Sequence, residues 1–273
     1  MKSVFNILIN FINTNELDDV YTNAARKLLE HLTLVPKYTI SEIATLCFVS
    51  PATISRLCRK LNYESYIDFK MEVAMNLQYF NRDAIRQQFD YQLPATQNPE
   101  QQVTKEAFAN HFDNIIANLQ ITYNTISFDT INQIVDLIYT SQEICFSGNF
   151  FTQSISMQLQ IELSYLGKKC TGMYAIKSQL EIIQQLQADD LIIFSTISGG
   201  SLTSHPDLIR AISKSKAKKV CITQLDKFPY NDTFDVIIQV GTNHQSLIGK
   251  FSVIYIFELL EAIYHLKYSD RCY

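Results

Sequence analysis

Two short stretches of this 273-residue chain gather side chains that can hold anions, by different means. In Thr196-Ile197-Ser198-Gly199-Gly200-Ser201, three hydroxyls stand around two glycines, after an apolar run and before a helical one. Hydroxyls, backbone N–H groups and a helix N-terminus would converge there on one point, which suits a phosphate. A second loop, Phe146 to Thr152, also follows an apolar run and offers Gly148, Asn149 and Thr152. A polar turn with a Ser cap is the commoner use of such residues. It gives no reason for two glycines beside three hydroxyls. Between Ser50 and Lys60 the chemistry is cationic instead. SPATISRLCRK carries Arg56, Arg59 and Lys60 and no acid. Ser50, Pro51, Ala52, Thr53 and Ser55 are small enough to enter a major groove, where Arg56 suits a base edge or phosphate and Arg59 and Lys60 the backbone.

The elements around the cationic stretch explain its placement. Thr39 and Glu42 form the capping-box pattern, and Ile40, Ile43, Ala44 and Cys47 recur at helical spacing. Phe48 and Val49 make a turn. Ser50 is a good N-cap, and Pro51 sits at N1, where its missing N–H costs nothing. Ile54, Leu57, Cys58 and Leu61 then face inward. Asn62 tolerates a left-handed cap position. The first helix props the second, as in a helix-turn-helix. An ordinary helical hairpin would not explain small residues at the exposed start and basic ones further along.

Further helices are expected over residues 3–12, 18–34 and 65–80, which makes residues 1–80 an all-helical N-terminal domain. Residues 81–102 are rich in Gln, carry Pro94 and Pro99 and lack a sustained apolar period. They read as a linker. Helices resume over 103–125 and 128–139. From there β and α signals alternate, with strands at 143–147, 169–174, 191–195, 219–223 and 236–240. Helices are expected at 153–166, 178–186, 203–214 and 246–266. The fold class is therefore α/β, with a doubly wound, mostly parallel five-stranded sheet over residues 103–273. Ligands bind beyond the carboxyl ends of such strands, where both loops lie.

A net charge of −4 and a pI near 5.7 confine any DNA binding to one patch. Six scattered cysteines without a CxxC pair read as reduced, mostly buried thiols of a cytoplasmic protein. The five dispersed histidines give no metal-ligand spacing, and no cofactor is expected. MKSVFNILINFI lacks a cleavage site, and no apolar run reaches membrane-spanning length. For catalysis, Glu162, Glu181, His205, His244 and Glu258 are the candidate bases, but they form no specific constellation, and no catalytic residue is assigned.

The motifs also carry a family resemblance. Ile43-Ala44, Val49-Ser50-Pro51-Ala52-Thr53-Ile54, Arg56, Lys60-Leu61-Asn62-Tyr63 and Asp68-Phe69-Lys70 resemble the helix-turn-helix of the RpiR/MurR family of sugar-responsive transcription regulators. That family usually has Gly where this chain has Phe48 and Asn62. Asp190, residues 196–201, Ile222-Thr223 and the β-α unit at 143–167 resemble the SIS phosphosugar-binding domain. The resemblance implies a phosphate held by Thr196, Ser198 and Ser201, with Gly148, Asn149, Thr152, Gly199 and Gly200 lining the site. Phe150 replaces the family's second Gly and would narrow the pocket or reject the usual sugar. The partners so implied are double-stranded operator DNA, a phosphorylated sugar and a second or further copy of the chain, as homodimer or homotetramer. The alternatives are a sugar-phosphate isomerase with an accessory helical domain, and a regulator whose sugar site has decayed.

Overall fold

The protein is described by a computed structural model over residues 4–79, 105–197, 199, 202, 205–225, 227–242 and 246–268. The chain divides into two compact units, Met1–Gln87 and Gln88–Tyr273. The expected linker at 81–102 lies outside the described residues, as do Ser198, Gly200, Ser201, His244 and Cys272.

The first unit holds five described helices: α1 (Val4–Thr14), α2 (Val20–Glu30), α3 (Ile40–Leu46), α4 (Pro51–Lys60) and α5 (Tyr66–Tyr79). One apolar core joins them, with Leu8, Ala25, Leu28, Ile43, Ile54, Leu57 and Phe69 fully enclosed. The α2 helix is shorter than the periodicity of 18–34 predicts. Asp19 caps its start, accepting from the N–H groups of Tyr21 and Thr22, and it ends at Glu30. The chain then continues in turns that still bury Leu32 and Val35, so the apolar period outlasts the helix. Buried Asn76 of α5 accepts the Val4 N–H (3.1 Å), supplying an acceptor to the start of α1. The Tyr66 hydroxyl and the Lys70 ammonium both donate to the Tyr38 carbonyl, tying α5 to the segment before α3.

The second unit starts with α6 (Lys105–Thr125) and α7 (Phe128–Thr140), followed by β1 (Glu143–Gly148), α8 (Phe150–Tyr165), β2 (Lys169–Thr171), α9 (Ile176–Ile183) and β3 (Leu191–Thr196). It continues with α10 (Pro206–Lys214), β4 (Lys218–Thr223), a 3-10 turn (Asn231–Thr233), β5 (Val236–Gln239) and α11 (Ser246–Tyr268). All four strand pairings are parallel, in the order β2-β1-β3-β4-β5. The strands are apolar throughout because both faces are covered. Ile144, Phe146, Ile193, Val220 and Ile222 pack with residues of α7, α8 and α11 on one face. Cys145, Ile192, Phe194 and Cys221 pack with residues of α9 and α10 on the other.

Several elements differ from their expected bounds: besides α2, α8 starts three residues early at Phe150 and α9 spans Ile176–Ile183, and β2 and α10 differ for identifiable reasons. β2 ends at Thr171, short of residue 174, because only three of its residues find partners on β1 at the sheet edge. The helix expected from 203 is described from Pro206. Proline at N1 disfavours helical backbone in the residue before it, and His205 is the N-cap, at φ −136°.

Candidate functional site

In the helical unit the predicted caps form. Thr39 and Glu42 make the full capping box, with the Thr39 N–H donating to the Glu42 carboxylate (2.7 Å). The Ser50 hydroxyl accepts from the Thr53 N–H (3.1 Å), and Pro51 occupies N1. Ile54, Leu57, Cys58 and Leu61 are buried, so α4 is held by its inner face. Ser50, Pro51, Ala52, Arg56, Arg59 and Lys60 are exposed, and Thr53 and Ser55 are half-buried. Among the described residues neither Arg56 nor Arg59 has an ion-pair partner, so both guanidinium groups project without a competing carboxylate. The Lys60 ammonium lies 4.8 Å from the centre of the Tyr21 ring, which steers it along α2. The turn into α4 is left-handed at Phe48 (φ 56°), and the turn out of it at Asn62 (φ 64°).

In the α/β unit both candidate loops leave adjacent central strands. β1 continues into α8 on one face, and β3 is followed by α10 on the other. Order 2-1-3-4-5 reverses between β1 and β3, the crevice position in a doubly wound sheet. Gly148 pairs with Ser195 in register there. A Cβ on Gly148 would stand 2.3 Å from Thr152 Oγ1 and 2.6 Å from the Ser195 carbonyl oxygen, so the two strand ends touch.

The first loop is closed by its own side chains. Asn149 is the N-cap of α8 and accepts the Thr152 N–H (3.0 Å), while the buried Thr152 hydroxyl turns back to Asn149. Gln179 of α9 completes the closure. Its Oε1 accepts from the Ser147 hydroxyl (2.8 Å) and the Gly148 N–H (3.1 Å), and its Nε2 donates to the Gly148 carbonyl (3.0 Å). Gln153 Nε2 donates to the Phe146 carbonyl (2.7 Å). These glutamines are 0% and 2% exposed, and no sequence motif pointed to them. In the second loop Thr196 and Ile197 are buried, and Gly199 is left-handed (φ 74°). A Cβ on Gly199 would meet the Leu225 Cδ1 methyl at 2.8 Å, a contact that side chain could relieve, so it is the left-handed backbone angle that favours glycine here. The structure thus brings Gly148, Asn149, Thr152, Thr196 and Gly199 to the carboxyl ends of β1 and β3. Ser198, Gly200 and Ser201 of the expected set lie outside the described residues.

One further side chain stands at this end of the sheet. Gln224, directly after β4, is fully buried, and among the described residues neither its amide oxygen nor its nitrogen has a hydrogen-bond partner. It lies against Gly249 of α11, where a Cβ would come within 1.7 Å of its Oε1. A lone Gln after a strand carries no signal in the sequence.

Asp190 lies at the opposite end of the sheet, before β3. Its carboxylate accepts from the N–H groups of Glu143 (3.0 Å) and Gln187 (2.7 Å), a latch that joins β1 and β3. The candidate bases are scattered. Glu181 pairs with Lys177 (3.9 Å) on an exposed face, and Glu258 is exposed. Glu162 of α8 meets Glu261 and His265 of α11, their ligating atoms within 4.8 Å of one another. Glu261 is 12 residues along α11 from Gly249, about 18 Å at the helical rise. Burial, then Glu162 and Glu258, push the Glu261 carboxyl above its ordinary value. The described cysteines are free thiols, and burial raises Cys58 and Cys145 to about 12, which leaves them protonated and unreactive at neutral pH. No described helix is long and apolar enough to cross a membrane.

Comparison with known proteins agrees with this arrangement. Residues 14–79 match the family described as helix-turn-helix domain, rpiR family. An uncharacterized HTH-type transcriptional regulator of Caldanaerobacter subterraneus subsp. tengcongensis is 21% identical over 254 residues, 90% of this chain and 86% of that one. The Vibrio vulnificus NanR protein complexed with ManNAc-6P has a similar fold, at TM-score 0.51 and 19% identity. The match covers 97% of this chain and 93% of that one. The sugar isomerase domain of an RpiR transcription factor from Sphaerobacter thermophilus matches at TM-score 0.51 and 22% identity, over 60% of this chain and 92% of that one. Residues 14–79 thus carry an rpiR-family helix-turn-helix domain, and the α/β unit has the fold of the sugar isomerase domain found in such regulators.

Proposed function

We propose that this regulator controls genes of carbohydrate metabolism, reading operator DNA with α4 and sensing a phosphorylated sugar in the crevice between β1 and β3. The observation that carries the reading is the meeting of the two loops at the point where strand order reverses. Thr196, Ser198, Gly199, Gly200 and Ser201 hold the phosphate through hydroxyls and backbone N–H groups. Gly148, Asn149 and Thr152 shape the neighbouring wall; Asn149 and Thr152 bond to each other and Gly148 to Gln179, which keeps that wall rigid. Ser50, Pro51, Ala52, Thr53, Ser55, Arg56, Arg59 and Lys60 form the DNA face. The chain acts as a homodimer or homotetramer, which matches two heads to a near-palindromic operator. The NanR protein is known complexed with ManNAc-6P, which makes N-acetylhexosamine 6-phosphates the first ligands to try. Sensing is favoured over isomerisation because Glu181 and Glu258 face solvent and Glu162 pairs with α11 groups well along that helix from Gly249.

The test is calorimetry of the full chain with hexose and N-acetylhexosamine 6-phosphates, each beside its dephosphorylated form. Only phosphorylated sugars should bind, and Ser198→Ala should weaken them by roughly 1.5–3 kcal/mol by removing a hydrogen bond to a charged acceptor. Equal binding of the two forms would leave the crevice a dimerisation scaffold without an effector.

A further inference from the structure

Phe48 carries two costs, and its surroundings in the helical unit offset neither. Its backbone is left-handed, at φ 56°, where a Cβ crowds the following carbonyl and glycine is the favourable residue. Its ring is 84% exposed, more than any other large apolar side chain described in this unit. Among the described residues no aromatic ring or cation stacks on it. The turn itself does not need the ring. The Phe48 N–H donates to the Thr45 carbonyl (3.1 Å) and the Val49 N–H to the Ala44 carbonyl (3.0 Å), bonds that any residue with this φ would make. The ring stands two residues before the Ser50 cap, at the head of the exposed series Phe48, Ser50, Pro51, Ala52 and Arg56.

We propose that the Phe48 ring is an apolar contact to duplex DNA beside the N-terminus of α4, seated on a thymine methyl or on a deoxyribose face. Both surfaces are apolar patches on an otherwise polar and charged ligand, and the thymine methyl is the major groove's apolar landmark. Burying the ring there removes it from water, the return missing in the free protein. The contact adds affinity without displacing a counterion, which separates it from the work of Arg59 and Lys60. The proposal rests on α4 being the DNA-reading helix.

The experiment uses the full chain and a duplex selected with it from a random-sequence pool, with binding followed by fluorescence anisotropy across a salt series. Phe48→Ala and Phe48→Gly should each weaken binding about tenfold, while Phe48→Tyr stays within about twofold of the native chain. The slope of log affinity against log salt should not change. Phe48→Gly should meanwhile raise the thermal unfolding midpoint by several degrees, since it removes the backbone strain, so weaker binding cannot be put down to a damaged fold. Replacing every thymine of the duplex by deoxyuridine separates the two surfaces. If the difference between native chain and Phe48→Ala vanishes, the methyl is the partner; if it persists, the deoxyribose is. Native affinity in Phe48→Gly would overturn the proposal. Arg56→Ala is the control: if it too binds as the native chain does, the assignment of α4 fails, a separate result.

Discussion

Three helices of this protein end with the same pair of hydrogen bonds and different residues at the left-handed position. After α3 the turn residue is Phe48, after α4 it is Asn62, and after α8 it is Gly167, with φ of 56°, 64° and 81°. In each, the turn residue's N–H reaches back three positions and the next N–H five, between 2.9 and 3.1 Å. The α/β unit uses glycine, the residue with no steric penalty there. The helical unit uses two residues that pay one, and both bracket α4. The polar groups divide along the same line. The helical unit leaves Arg56 and Arg59 outside, ready for a partner. The α/β unit folds Gln153, Gln179 and Asn149 onto its own backbone around the crevice. One unit presents a surface already exposed; the other builds a tight wall, which under the proposed function would leave effector binding to hydroxyls and N–H groups. DNA binding should therefore depend strongly on salt, and effector binding on small changes of shape.

The largest expected effect tests the tight wall. Gly148→Ala sets a methyl against the Ser195 carbonyl and the Thr152 hydroxyl, and the Ser195 oxygen belongs to a central strand that cannot swing aside. Urea unfolding should show a loss of about 3 kcal/mol, the upper part of the range for overpacking a rigid interior. A loss below about 1 kcal/mol would mean that the crevice is slack and the contrast between the units is false. Next in size is the exposed surface. Arg56→Ala should weaken a selected duplex by about 1–3 kcal/mol if the guanidinium makes a bidentate base contact, and leave the unfolding midpoint unchanged. A matching loss of stability would show that Arg56 also serves the fold.

The helical unit was the more legible of the two because its signals are local. Thr39 with Glu42, and Ser50 with Pro51, state the helix starts within a few residues, and Asn62 states an end. The strands were legible as short apolar runs, since both sheet faces are covered. What sequence did not disclose depends on packing between distant segments. Gln179 closes a loop 31 residues before it, and Glu162 meets Glu261 only because α8 lies against α11. Asp190 stood out by its resemblance to the SIS pattern, but its latch at the end of the sheet away from the crevice required strand register. The bounds of β2 and α10 shifted because an edge strand ends where its partner does, and because Pro206 fixes where its helix begins.

Smaller effects sharpen the cap comparison. Gly167 has open space around its Cβ position, so Gly167→Ala measures the left-handed backbone cost alone. It should lose about 1 kcal/mol, and Phe48→Gly should gain about as much by the reverse change. Unfolding by urea reads both. If the two magnitudes differ by more than about twofold, Phe48 has contacts in the free protein beyond its backbone strain.

The smallest effect concerns the packed α8–α11 pair, and here the sign decides. Burial first, then Glu162 of α8 and Glu258 of α11, hold the Glu261 carboxyl above its ordinary value of 4.5; neighbouring His265 acts weakly the other way. A carboxyl raised by folding keeps its proton longer in the native state than in the unfolded chain. The native state then binds more protons, so stability falls as pH rises from the unfolded value through the raised one. Above that window the penalty is complete, and below it there is none. Glu261→Gln cannot ionise. It should match the native chain near pH 4 and exceed it at pH 7, by less than about 1 kcal/mol because the site is only partly screened from water. Paired urea titrations at the two pH values give the difference directly. An advantage of Glu261→Gln that is equal at both would mean that packing, not charge, separates the two side chains, and that the α8–α11 interface tolerates three neighbouring carboxylates without strain.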